Sequence, residues 1–167
     1  MVVLDASTLI LLARAELLGL FLTASKLRVV IPAEVEKECC ASKKTLDAAI
    51  IQRALNEARI EVLAVRSLRL VAELQTDFGL GKGEAEAIAL AIGEKAQLVG
   101  IDDKNGINAC KVLGIPFTTA LGILLRSREK GLLERTESFE KLAALAKYGR
   151  YKNSMIEDAR QHLEAKS

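Results

Sequence analysis

The sequence predicts an α/β fold in which a parallel β-sheet is covered by helices on both faces. Short β-branched runs alternate with longer segments of helical spacing along most of the 167 residues. Strands that alternate with helices in this way join through right-handed crossovers and form parallel sheets. The composition, 50% hydrophobic and 28% charged, is too apolar for a disordered chain and too evenly charged for a membrane protein.

The first 60 residues contain two strand patterns, each followed by helical spacing. VVLD ends in a carboxylate and precedes an apolar helical pattern, and Pro32 stands at a first helical position, where a missing N–H is tolerated. The predicted elements are a strand at 2–5, a helix through Phe21, a strand at 28–31, and helices at 33–40 and near 44–58.

The rest of the chain continues the alternation and ends in helices. A Gly-rich turn precedes an Ala-rich helix, Gly114 is a typical helix stop, and Gly131 and Gly149 are expected breaks. The predicted strands lie at 60–65, where an extended connection is the alternative, and at 97–101 and 115–119. The predicted helices lie at 67–78, at 83–95, from Asp102 and Asp103 to Leu113, and at 120–130. One or two further helices are predicted from 134 onward.

The length and the N-terminal pattern favour one cytoplasmic domain. We expect a single domain over 1–167, with the motifs in about 1–130 and a helical C-terminal extension over 134–167. Asp5 stands where a signal peptide would carry basic residues, and no apolar run approaches the roughly 18 to 20 residues that span a bilayer. The three cysteines form no C-x-x-C pair, and a net charge of +2 does not by itself indicate a nucleic-acid binder.

Four acidic residues stand at positions that a parallel sheet would bring together. Asp5 and Asp102 follow strands, and open parallel sheets bind ligands beyond the carboxyl ends of their strands. Glu38 lies on the helix after the second strand, and Glu84 opens the helix after the Gly-rich turn. Carboxylates about 4 Å apart repel by roughly 1 to 4 kcal/mol, so a cluster of them requires a cation. Because His162 is the single histidine, oxygen-ligated Mg²⁺ or Mn²⁺ is expected rather than a histidine-rich zinc or copper centre.

Each acid also has a simpler interpretation. An acid directly after a strand can cap the next helix, an acid in a first turn complements the helix dipole, and an acid on a helix surface can simply be solvated. These interpretations stay open for Asp5, Glu38, Glu84, Glu86, Asp102 and Asp103. The segment GLGKGEAE has the glycines of a phosphate-binding loop, but no strong strand precedes it and G-K-[ST] is absent, which disfavours nucleotide binding.

A resemblance to a known family rests on four segments, which occur in this order: VVLDASTLI, IPAEVEKE, GLGKGEAEAIALA and LVGIDDKNGINACKVLGI. Together they resemble the PIN-domain family, and within it the prokaryotic group related to the toxin nucleases of toxin–antitoxin pairs. The resemblance spans about residues 1–130. It implies a three-layer α/β/α fold with a parallel sheet of about five strands, plus C-terminal helices, and metal-dependent ribonuclease activity with Mg²⁺ or Mn²⁺.

The resemblance also implies roles for individual residues. It gives the catalytic acids as Asp5, Glu38, Glu84 and Asp102, and the metal ligands among them as Asp5, Glu84 and Asp102. Ser7 matches a small hydroxyl residue two places after the first acid, where it can hydrogen-bond the phosphate, a water or the Asp5 carboxylate. Glu86 and Asp103 are alternates that could take over or support a ligand role.

Two positions depart from the family's pattern. Many relatives carry Thr where this chain has Gly100, and a basic residue where it has Ile107. A lost hydroxyl or cation would mean a weaker enzyme, a different substrate, or another side chain in the role. Lys82, Lys104 and Lys111 are available substitutes.

Three functions follow from these features. The leading hypothesis is an endoribonuclease, with a PIN-like RNA- or protein-binding module of little activity as the alternative that the two departures favour. A small-molecule phosphatase or nucleotide-binding protein ranks last, because a phosphate-accepting Asp would be followed two residues later by another Asp, where this chain has Ser7. The resemblance further implies a small antitoxin protein that covers the acids, and a homodimer.

Overall fold

A five-stranded parallel sheet forms the centre of the fold. The computed structural model describes residues 1–41 and 44–165. Its strands are β1 Val2–Leu4, β2 Val29–Pro32, β3 Glu61–Leu63, β4 Leu98–Gly100 and β5 Phe117–Thr118. All pair in parallel in the order β3-β2-β1-β4-β5. Helices lie on both faces, which confirms the predicted three-layer α/β/α fold.

Ten helices surround this sheet in the described part of the chain. They are α1 Ala6–Arg14, α2 Leu18–Ala24, α3 Ala33–Cys40, α4 Leu46–Asn56, α5 Leu68–Phe78, α6 Lys82–Gly93, α7 Lys104–Leu113, α8 Ala120–Glu129, α9 Arg135–Tyr148 and α10 Asn153–Ala165. Most begin and end within a few residues of the predicted bounds. The prediction near 44–58 begins next to residues 42–43, which lie outside the described residues.

The adjacent strands β1 and β2 are buried on both faces because each lies between two apolar layers. Val2, Leu4 and Ile31 belong to a core cluster that also contains residues of α1, α3, α4, α8, α9 and α10. Val3 and Val30 belong to a second cluster with residues of α5, α6 and α7. Since successive side chains of a strand point to opposite faces, the short β-branched runs supply both clusters at once.

The prediction of a single helix that follows Ser7 and Thr8 and runs through Phe21 is wrong: the segment forms two helices. α1 ends at Arg14 and α2 begins at Leu18, and Glu16 between them has a left-handed backbone with φ 54°. The apolar spacing continues across this break, so periodicity alone did not show it. No single helix in the described ranges is long and apolar enough to cross a membrane; α1 and α2 pass that test only as a pair, bent by 107°.

The C-terminal segment forms two helices that pack onto the rest of the molecule. α9 packs against α8 and α1, and α10 against α9 and α8. Leu142, Leu145 and Leu163 are buried in the same cluster as β1 and α1. The predicted breaks at Gly131 and Gly149 are confirmed, since these residues follow the ends of α8 and α9. The C-terminal helices therefore share a core with the motif-bearing part of the chain.

Candidate active site

The sheet brings Asp5 and Asp102 together although 97 positions separate them in the sequence. β1 and β4 are neighbours, with Leu4 paired to Gly100, and the Asp5 N–H donates to the Gly100 carbonyl at 2.9 Å. Both carboxylates therefore leave the sheet at the same edge, as the strand-end argument predicts. We call Asp5 and Asp102 the acid pair.

Asp5 is fully buried and held by its neighbours in α1. Its Oδ2 accepts a hydrogen bond from Ser7 Oγ at 2.6 Å, and its Oδ1 accepts one from the Thr8 N–H at 2.8 Å. Asp5 is thus also the N-cap of α1, so the capping interpretation is correct without excluding a role in a site. Burial raises the pKa of Asp5 to about 7; its hydrogen bonds oppose this rise and the charge of Asp102 adds to it.

Asp102 is half-buried and accepts three hydrogen bonds. Thr8 Oγ1 donates to Asp102 Oδ2 at 2.8 Å, and the Ala120 N–H, at the start of α8, donates to the same oxygen at 2.9 Å. The Tyr151 hydroxyl donates to Oδ1. Burial raises the pKa of Asp102, while these three donors act to lower it. Thr8 therefore links the two acids: its N–H donates to Asp5 and its hydroxyl donates to Asp102.

The close packing around Gly100 explains one departure from the family's pattern. A Cβ at Gly100 would lie 2.4 Å from Leu4 Cδ2 and 3.2 Å from Thr8 Cγ2, and both of those side chains are fully buried. No side chain fits there without displacing them. The hydroxyl beside Asp102 comes from Thr8 instead. At the other departure, Ile107 packs against the apolar cluster of α5, α6 and α7.

Glu38 lies at the contact between α3 and α6. Its carboxylate accepts a hydrogen bond from the Gly83 N–H, and partial desolvation raises its pKa, with the charges of Glu34 and Glu86 acting in the same direction. A Cβ at Gly83 would lie 2.5 Å from Glu38 Oε1. Gly83 is therefore required for this close approach of α6 to the Glu38 carboxylate.

Glu84 and Glu86 point in different directions from the start of α6. Glu84 Oε2 accepts from the Gly81 N–H at 3.0 Å, which stabilises the helix start as the simpler interpretation proposes. Glu86 is buried; its Oε2 accepts from the Glu34 N–H at 3.2 Å, and its Oε1 lies 4.0 Å from Lys82 Nζ. Burial raises the pKa of Glu84. We call Glu34, Glu38, Glu84 and Glu86 the glutamate group.

Asp103 is a helix cap rather than a member of either group. Its carboxylate accepts from the N–H groups of Asn105 at 2.7 Å and Gly106 at 3.3 Å, at the start of α7. Its charge nonetheless raises the pKa of Glu84, as does the charge of Glu38. Asp103 therefore lies near the glutamate group.

The acid pair has the donor chemistry that a hard divalent cation requires. Mg²⁺ and Mn²⁺ bind oxygen ligands and commonly take only one or two carboxylates, with water completing the shell. A carboxylate has about four lone-pair positions; the donors to Asp5 are the Ser7 hydroxyl and the N–H and hydroxyl of Thr8, so one position remains open. Neither Asp5 nor Asp102 forms an ion pair with a lysine or arginine within residues 1–41 and 44–165. The pair could therefore bind such a cation.

The structure does not bring all four predicted acids into one metal-binding group. Within the described ranges, no three His, Cys, Asp or Glu side chains form a group that could hold a metal ion. Glu38 and Glu84 instead face backbone N–H groups of the α6 start. Their assignment as catalytic residues, and that of Glu84 as a metal ligand, stay predictions.

Two residues of the site were missed by sequence reasoning. Thr8 has no motif of its own beyond its place in a helix start, although its spacing of three from Asp5 is the signal of an N-cap contact. Tyr151 lies in the turn between α9 and α10, and its contact with Asp102 spans 49 residues. Nothing in the sequence around Tyr151 indicates that contact.

Comparison with known proteins identifies the family. A family model described as a PIN domain matches residues 1–164, and so includes the C-terminal helices that the sequence resemblance had left outside. No curated protein and no solved structure matches the chain significantly. The match covers nearly the whole chain, and the observed sheet agrees with it. This chain therefore belongs to the PIN-domain family.

Proposed function

We propose that this protein is a metal-dependent endoribonuclease that hydrolyses RNA phosphodiester bonds at the acid pair. PIN domains are generally nucleases, and the chain belongs to that family. The observation that carries the proposal is the fully buried Asp5 carboxylate beside Asp102, without a basic partner in the described ranges. A buried charge without a partner is costly, and a cation bound between the two carboxylates would remove that cost.

The residues of the acid pair have separate tasks in this proposal. Mg²⁺ or Mn²⁺ held by Asp5 and Asp102 would supply charge stabilisation at the phosphate and an activated water. Asp5 and Asp102 hold the cation, Thr8 fixes the relative position of the two carboxylates, and Ser7 orients Asp5 through its hydrogen bond. No side chain is required as a nucleophile. Glu38 and Glu84 join the site in this proposal if their carboxylates leave the N–H groups of α6.

One observation favours a second candidate function. Because Glu38 and Glu84 accept hydrogen bonds from α6, the acid pair faces the substrate with two carboxylates rather than four. A protein of this kind could bind a cation and RNA or a partner protein with little turnover. Cation binding without cleavage of any RNA tested would support this candidate over the nuclease.

The proposal extends to partners and cellular role. Its support is the resemblance to toxin nucleases, which implies a small antitoxin protein that covers the acid pair, and a homodimer in the cytoplasm. An antitoxin would use basic or aromatic side chains, since those complement a carboxylate-lined site.

The test is cleavage of a mixed single-stranded RNA by the wild-type protein with Mn²⁺ and with chelator, beside Asp102→Asn. We expect cleavage that requires the metal and that falls at least about a hundredfold in the variant, because outer-shell changes alone typically cost 10- to 100-fold. Asp158→Asn, at an exposed carboxyl of α10, is the matched control and should cleave normally. Metal-dependent cleavage that is equal in wild type and Asp102→Asn would refute the proposed site.

A further inference from the structure

The Tyr151 hydroxyl has two partners that fix its position next to the acid pair. It donates to Asp102 Oδ1, and its oxygen accepts from the Leu121 N–H. The adjacent Ala120 N–H donates to the other oxygen of Asp102. Two successive N–H groups at the start of α8 thus orient the phenol and the carboxylate together.

Gly149 leaves the space that the Tyr151 ring needs to reach Asp102. A Cβ at Gly149 would lie 2.5 Å from Tyr151 Cε2 and 2.8 Å from the Leu145 carbonyl oxygen, so only glycine leaves room for the ring against the end of α9. The ring itself packs on the core cluster that contains β1 and α8. The turn between α9 and α10 therefore packs closely against the Tyr151 ring.

We propose that Tyr151 is a positioning residue, which fixes the Asp102 carboxylate so that one lone pair of Oδ1 remains directed into the acid pair. The inference rests on the proposed function, since it assumes that Asp102 binds a cation. Oδ2 already accepts two hydrogen bonds, from Thr8 and Ala120. Among the described residues, Oδ1 accepts only the one from Tyr151, so a carboxylate with about four positions has one left, on Oδ1.

Through Tyr151, the turn between α9 and α10 helps to hold the Asp102 carboxylate in position. Carboxylates that bind metals are held in place by hydrogen bonds from neighbouring groups that do not touch the metal. Loss of such a bond typically weakens metal affinity by about 10- to 100-fold. Without the Tyr151 hydroxyl, the Asp102 carboxylate could rotate about its last bond, because Oδ1 would have no fixed donor. Tyr151 does not contact the reacting atoms in this account; it acts through Asp102.

The test is the Mn²⁺ affinity of Tyr151→Phe, measured by calorimetry without RNA. The variant keeps the ring and removes only the hydroxyl, and we expect its affinity to fall about 10- to 100-fold. Tyr148→Phe is the control, because Tyr148 is 43% exposed and lies over the Arg14 guanidinium; its affinity should equal that of wild type. Equal or tighter Mn²⁺ binding by Tyr151→Phe would overturn the inference, and tighter binding would mean that the hydroxyl competes with the cation.

A second measurement does not depend on the folding of Tyr151→Phe. The chain has two tyrosines and no tryptophan, so in Tyr148→Phe the emission comes from Tyr151 alone. Added Mg²⁺ should change that emission, since the cation would bind to the carboxylate that the phenol contacts. An unchanged emission at saturating Mg²⁺ would contradict the inference.

The two proposals fail in different ways. If wild type binds Mn²⁺ and cleaves RNA but Tyr151→Phe binds Mn²⁺ equally well, only the role of Tyr151 falls. If wild type binds no Mn²⁺, the metal-dependent function falls, and the positioning role falls with it.

Discussion

Asp5→Asn is expected to stabilise the metal-free protein at neutral pH while it removes metal-dependent RNA cleavage. Asp5 is fully buried, and an ionised carboxylate in such a place is unfavourable without a cation. Asparagine keeps the size and an oxygen for the Thr8 N–H, but carries no charge and binds a divalent cation poorly. Opposite changes in stability and activity are typical of groups that are kept for function.

The stability difference should depend on pH in a defined direction. The pKa of Asp5 is raised from 3.8 to about 7 in the folded protein, so the folded state binds one more proton than the unfolded state between these values. The contribution of Asp5 to the stability of the metal-free wild type therefore falls as pH rises from about 4 to about 7, by about 4 kcal/mol. The asparagine variant lacks this titration, so its advantage should grow across that range and then level off.

Urea unfolding in chelator at pH 5 and pH 8 measures this difference. We expect the gap between Asp5→Asn and wild type to widen toward pH 8, and added Mg²⁺ to stabilise wild type but not the variant. Asp158→Asn should follow wild type at both values. A variant that is less stable than wild type at pH 8 in chelator would show that burial of the Asp5 charge is not the dominant effect.

Gly100→Ala is expected to destabilise the protein by about 1 to 3 kcal/mol, the usual range for overpacking a core. The new Cβ would lie 2.4 Å from Leu4 Cδ2, and Leu4 is fully buried in the core cluster. Its side chain has little space to move, and Thr8 would be displaced as well. Because Thr8 joins the acid pair, Mn²⁺ affinity should fall together with stability.

Gly93→Ala is the matched control for that change. It makes the same substitution at the last residue of α6, where a Cβ would meet nothing within 4 Å. Alanine favours helices over glycine by up to about 1 kcal/mol, so this variant should be as stable as wild type or slightly more stable. If chemical denaturation shows the two variants to be equally stable, the close packing at Gly100 does not constrain the site.

The acid pair was predictable because it depends on strand ends alone. VVLD and QLVGI each place an acid at or directly after the end of a strand, and neighbouring parallel strands bring such residues to one edge. Glu84 turns back to the Gly81 N–H of its own helix start, whereas the direction of Glu38 depends on how closely α3 packs against α6. That approach is set by Gly83, whose N–H meets the Glu38 carboxylate, and a helical pattern does not show which backbone groups a neighbour offers.

The contacts that Thr8 and Tyr151 make with Asp102 could not be predicted from the sequence. The glycine at position 100 indicated a missing hydroxyl, whereas the structure shows that the hydroxyl beside Asp102 comes from Thr8. Predicting that Thr8 supplies this hydroxyl would require knowledge of how β4 packs against α1. Tyr151 reaches the site only because α9 and α10 pack on α8 and α1, and such long-range packing has no local signature.

Crystals grown with Mn²⁺ would test most directly the claim that the acid pair is the metal-binding centre of this protein. The anomalous signal of manganese locates the ion independently of any interpretation of the site. We expect a peak within about 2.5 Å of carboxylate oxygens of both Asp5 and Asp102, with Tyr151 still bound to Asp102. A peak at the glutamate group alone, or none near Asp5 at saturating Mn²⁺, would contradict it.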